Sequence, residues 1–208
     1  DWSDRFRFIS EYAQKQGAPK EFEEYLNSIT TPSTTGKLTT PDVLLKEGKI
    51  QNISRDLEVI FTPGHDISEI SIYDPSSKII FSGDHILPRI TPFIPIHDDE
   101  TSMLNHYVDS LNKMKSFEHT KIAPGHFEMI DNPQNRVKQI LLHHEKRSDK
   151  IINILNDGEL TGWEVTKKLF SRPLDSMNLR LAFQETMAHL KYIESQGKIK
   201  QKVSEVNT

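Results

Sequence analysis

The chain has 208 residues, 35% hydrophobic and 27% charged, with 26 Lys+Arg, 30 Asp+Glu and nine His for a net charge of −4. This polar globular composition excludes wholesale disorder, and no run approaches the ~20 apolar residues of a membrane-spanning helix, so no membrane partner is expected. With no cysteine, disulfide scaffolds, thiol nucleophiles and thiolate-bound metals are all removed; the absence fits a reducing, cytoplasmic setting.

Residues 3–29 predict two helices. Phe6, Ile9 and Ala13 share one face, Gly17 and Pro19 interrupt, and Phe22, Tyr25, Leu26 and Ile29 form the next. The Thr, Pro, Ser and Gly of 30–36 predict a loop. Short β-like runs follow at Val43–Leu45, Ile50–Ile53 and Leu57–Phe61, then at Ile70–Tyr73 and Ile79–Phe81 around the turn Asp74-Pro75-Ser76-Ser77. Thr101–Lys115 reads as an amphipathic helix, Lys121–Ala123 as a short buried strand and Pro133–His144 as another helix.

From about Arg147 the punctuation becomes helical. Ile151, Ile152, Ile154 and Leu155 form one helix, Thr161-Gly162-Trp163-Glu164 looks like the capped start of a second, and Leu179–Ser195 forms a longer third. Gly197 ends that helix and Lys198–Val203 reads as a strand. Residues 1–144 carry −6 and residues 145–208 carry +2. This order predicts a winged-helix-like module over 148–208, with Trp163, Phe170 and Phe183 as buried anchors. Lys198, Lys200 and Lys202 on one strand face would suit nucleic acid. A charged edge strand explains them better, so nucleic acid is not the favoured partner.

Three segments share one design, an apolar run ending in a small-residue turn that presents His or Asp. They are Val59–His65 through Thr62-Pro63-Gly64-His65, Ile79–His85 through Ser82-Gly83-Asp84-His85, and Lys121–His126 through Pro124-Gly125-His126. Glycine before the functional residue permits backbone that a Cβ would resist. Alone, each Pro-Gly-His is a surface turn. The three together point to one cleft beyond a sheet edge, with donors suited to a divalent metal.

These motifs resemble the later half of the metallo-β-lactamase superfamily over roughly residues 38–144. The resemblance implies a mixed α/β (α+β) fold: part of an αββα sandwich over residues 1–147, with 1–35 as a helical insertion, followed by the helical module. It implies that His65 serves a first metal, His126 a second, and Asp84 bridges both as the catalytic carboxylate. His85 and Arg89 would support these ligands or touch substrate. Asp66 stands where relatives usually carry Ser or Thr, and Glu69 where a second His is frequent. The cofactor implied is a pair of divalent ions, zinc first with iron or manganese as alternatives. Their bound hydroxide would attack an ester, thioester, lactone or phosphodiester.

The superfamily's His-x-His-x-Asp-His signature is absent from the 208 residues, so three of seven usual ligands are present. The expectation is that the rest lie before Asp1, and that metal binds weakly or not at all to this chain. A small-molecule substrate is expected, and a homo-oligomer is compatible with an uncovered sheet. The alternatives are an RNA hydrolase and a non-catalytic winged-helix binder on a degenerate hydrolase platform.

Overall fold

A computed structural model describes residues 2–29 and 41–202. The expected loop at 30–36 lies outside them. Two helices, α1 (Trp2–Lys15) and α2 (Lys20–Ser28), open the chain. Strands β1 (Gly48–Lys49), β2 (Glu58–Phe61), β3 (Ile70–Asp74) and β4 (Ile79–Gly83) follow. Then come helix α3 (Met103–Met114), strand β5 (Lys121–Pro124) and helices α4 (Pro133–Leu155), α5 (Gly162–Leu169) and α6 (Ser176–Ser195). No helix among the described residues is long and apolar enough to cross a membrane.

The sheet runs in order β1-β2-β3-β4-β5, antiparallel except for the parallel β4–β5 pair. The β3–β4 turn forms as expected, because the Asp74 carboxylate accepts bonds from the Ser76 amide and hydroxyl and from the Ser77 hydroxyl. Of the earlier β-like runs, 43–45 and 50–53 form no strand, and their place is taken by the two-residue β1. Leu44 is largely exposed there, so its apolar character reflects no pleated face.

Alternation along the strands separates two faces. Ile60, Tyr73, Ile80 and Ile122 are buried, and they share one core with Leu104, Tyr107 and Leu111 of α3 and Val137 and Ile140 of α4. Phe61 and Phe81 point the other way and remain 42% and 48% exposed.

The change of pattern expected at 147 falls inside α4. Asn132 caps this helix by accepting from the Asn135 amide, and after Pro133 no Gly or Pro interrupts it. Its buried positions Val137, Ile140, His144, Ser148 and Ile151 continue at helical spacing through that point. Thr161 and Glu164 form the reciprocal cap of α5. Phe183 is fully buried, whereas Trp163 and Phe170 are half-buried. Phe22 of α2 packs against both Trp163 and Phe183, at ring separations of 4.8 and 5.6 Å.

The strand expected at 198–203 is not seen in its described part, 198–202; Val203 lies outside. Alternating lysines supply the pattern, but the segment is held by side chains. The Gln201 amide donates to Glu194, and Lys202 pairs with Glu159.

Candidate metal centre

Strands β2, β4 and β5 run parallel to one another, so their C-terminal ends lie along one edge of the sheet. Each end carries one of the three turns. After β2, the Thr62 hydroxyl meets Ser71 at 3.1 Å and the Thr62 amide donates to the Glu69 carbonyl. After β4, Gly83 adopts φ +55°, a left-handed conformation that favours glycine. After β5, the Gly125 amide donates to the Gly83 carbonyl at 2.7 Å. A Cβ on Gly125 would stand 2.9 Å from Asp84 Oδ1. Glycine here serves close approach rather than an unusual dihedral.

His65, Asp84 and His126 therefore meet. His65 Nε2 lies 3.9 Å from Asp84 Oδ2 and His126 Nε2 lies 3.6 Å from Asp84 Oδ1. Each imidazole faces a different oxygen of one carboxylate. His65 Nδ1 lies 2.7 Å from the Phe93 carbonyl. A carbonyl only accepts, so Nδ1 carries the proton and donates, and Nε2 is left to face Asp84. A backbone carbonyl behind a histidine is a common way to orient a metal ligand.

The donor chemistry suits zinc, iron or manganese, but it is sparse. Each half of the cluster offers one imidazole nitrogen and one carboxylate oxygen, where zinc takes about four donors. Among the described residues no group of three or more His, Asp or Glu is placed to hold a metal ion.

Two side chains that the sequence leaves without a role in this cluster support it. Glu69 Oε1 accepts from the Asp84 amide at 3.1 Å, while Oε2 is buried without a partner among the described residues. Burial, reinforced by the nearby Asp84 charge, pushes the Glu69 carboxyl up to about 7. Tyr107 is fully buried, and its ring fills the space where a Cβ on Gly64 would sit, 2.4 Å from Cδ2. Its hydroxyl donates to the His85 carbonyl.

His85 itself is fully buried, with its ring edge-on to Tyr107 and no hydrogen-bond partner on either nitrogen among the described residues. Burial lowers its pKa to about 3, so the ring is neutral. Arg89 is committed elsewhere. Its guanidinium binds Glu128 through Nε at 3.0 Å to each oxygen, and lies 5.7 Å over the Phe127 ring. It steadies the segment after His126.

Two family models match the chain. The model of the metallo-beta-lactamase superfamily matches residues 10–126, and that of the metallo-beta-lactamase-like C-terminal domain matches residues 149–207. A beta-lactamase-like protein 2 homolog of Caenorhabditis elegans is 34% identical over 117 residues, 55% of this chain and 37% of the relative. An acyl-coenzyme A thioesterase of Gallus gallus, MBLAC2, is 32% identical over 96 residues, 43% of this chain and 33% of the relative. A metallo-beta-lactamase family protein of Thermus thermophilus superposes with a TM-score of 0.72 at 26% identity, over 92% of this chain and 60% of that one. The chain matches about a third of the length of the first two of these proteins.

Proposed function

Because the chain belongs to the metallo-beta-lactamase superfamily, we propose that it is a metal-dependent hydrolase whose substrate is an acyl thioester or ester. The observation that carries this reading is the placement of two imidazole Nε2 atoms on opposite oxygens of Asp84, one with its tautomer fixed by Phe93. The thioesterase among the relatives supports the choice of thioester.

His65, Asp84 and His126 would supply part of the metal's donor set. When bound, a divalent cation supplies a Lewis acid for the scissile carbonyl and lowers the pKa of a coordinated water. The chain's own contribution is orientation. Phe93 keeps the His65 Nε2 lone pair directed at the centre, Glu69 anchors the backbone of Asp84 from behind, and Gly125 lets β5 approach the carboxylate. Arg89, clamped to Glu128, steadies the loop that carries His126.

The test is thiol release from an acyl thioester with and without added Zn²⁺, Mn²⁺ or Fe²⁺, beside elemental analysis of the protein. With two donors per ion, the 208-residue chain is expected to take up zinc weakly and to turn over slowly. Asp84→Asn is expected to abolish both. Thioester turnover indifferent to metal and to Asp84→Asn would count against the reading.

A further inference from the structure

Beside its buried stripe, α4 carries a basic one. Positions 143, 146, 147 and 150 recur at i, i+3, i+4 and i+7, so His143, Lys146, Arg147 and Lys150 share one side of the helix. That side meets Leu169 at the end of α5 and the half-buried Phe170 after it, and together they enclose an open groove of about 330 Å³. Among the described residues no carboxylate lines it.

The charges of the groove can be counted one by one. Arg147 is neutralised, for it pairs with Glu185, and its guanidinium lies 5.2 Å over the Phe170 ring. Burial, with Arg147 and Arg136 nearby, lowers the His143 pKa, so that ring is uncharged near pH 7. Lys150 donates to the Leu169 carbonyl at 3.3 Å. That acceptor is neutral, so the ammonium keeps its charge and two further N–H groups. Lys146 is exposed and makes no ion pair or hydrogen bond among the described residues. Two ammonium charges therefore stand one turn apart without an ion-pair partner, against an apolar wall of Leu169 and Phe170. Lysine binds phosphate as a point charge. A dianion with three terminal oxygens can engage both ammonium groups at once, where a carboxylate brings one charge. The free row is short: the next position at this spacing is Ile154, so it fits a single phosphate better than a long phosphate backbone.

We propose that the groove between α4 and α5 binds a phosphate monoester carried on an apolar or aromatic body, with Lys146 and Lys150 holding the phosphate and Leu169 and Phe170 the body. It shares no residue with the Asp84 cluster, so the assignment stands apart from the hydrolase reading.

Isothermal titration of the 208-residue chain with phenyl phosphate, inorganic phosphate, benzoate and the neutral benzamide tests it without metal or turnover. Phenyl phosphate is expected to bind about tenfold tighter than benzamide, the scale of a charge-assisted hydrogen bond, and tighter than benzoate or inorganic phosphate. Lys146→Gln and Lys150→Gln are each expected to weaken it about three- to tenfold, and Lys138→Gln, elsewhere on α4, to leave it unchanged. Melting temperatures read in parallel confirm folding. Benzamide or benzoate binding as tightly as phenyl phosphate, no measurable binding of any probe, or an affinity unmoved in the folded Lys146→Gln and Lys150→Gln chains would overturn the proposal. So would a short RNA that binds and is lost in those variants while phenyl phosphate does not bind, since the groove would then serve a nucleic-acid backbone.

Discussion

Gly125 shows how narrowly the Asp84 carboxylate is placed. A methyl group there would sit 2.9 Å from Oδ1 and 3.2 Å from the Gly83 carbonyl carbon, so in Gly125→Ala either the carboxylate or the β5 turn must shift. Because its backbone is not left-handed, the substitution brings no dihedral strain and acts through position alone. The expected result is zinc affinity lowered by about 10–100-fold, the usual scale for disturbing the surroundings of a ligand, with a nearly unchanged melting temperature. Equal zinc affinity in both proteins would show that the carboxylate has room to move. The three glycine turns are legible in the sequence because small residue, position and apolar run repeat together. The Phe93 carbonyl behind His65 is not legible, since a main-chain oxygen leaves no residue signature 28 positions away. Glu69 is silent for a related reason: its bond is to the Asp84 amide. Arg89 reads from sequence as an anion binder, and only the fold supplies Glu128 as its partner.

Where α4 meets α6, two histidines are buried side by side. His144 Nδ1 lies 3.2 Å from His189 Nε2, and the Ser148 hydroxyl lies 3.1 Å from His189 Nδ1. Burial, with the neighbouring imidazoles and the positive charge of Arg147 adding to it, lowers their pKa values to about 3 and about 2. Glu185, the acid beside them, is already paired with Arg147. Unfolded imidazoles protonate near ~6.5. Below that value the unfolded chain binds the extra protons, so stability falls as the pH falls, by about 1.4 kcal/mol per unit for each histidine. Above it neither state is charged and the pair contributes no slope. Urea midpoints are therefore expected to drop between pH 7.5 and 5.5, with a shallower drop in His189→Gln; equal slopes would mean that the pair is not buried and neutral. His144 and Ser148 also explain why α4 reads as two helices. The buried stripe passes through two polar residues where an apolar count sees a break. The segment after α6 errs in the opposite direction, for alternation alone makes no strand without a neighbouring edge.

At the scale of the whole molecule, the described residues cover one face of the sheet fully and the other only in part, burying Val59 but not Phe61 or Phe81. Phe61 and Phe81 lie on that second face, with Ile70 and Ile72 opposite them in the register. Large exposed apolar patches favour association. The 208-residue chain is expected to self-associate with concentration, and Phe61→Ser with Phe81→Ser to shift it toward monomer without a lower melting temperature. Sedimentation velocity reads this directly, and a wild-type chain monomeric at high concentration would refute it. The alternation that exposes these rings is visible in the strands, but which face is less covered depends on how many layers surround the sheet, and that is not a local property. The contact of Phe22 with Phe183 has a temporal consequence. A chain made at about 5–20 residues per second leaves Phe22 waiting roughly ten to thirty seconds for the ring that covers it. Throughout that interval α1 and α2 lack their packing against α6, and short helices draw most of their stability from such packing. The core they share with α6 closes last, so a ribosome stalled before residue 183 would hold the opening helices in a state open to chaperones and proteases.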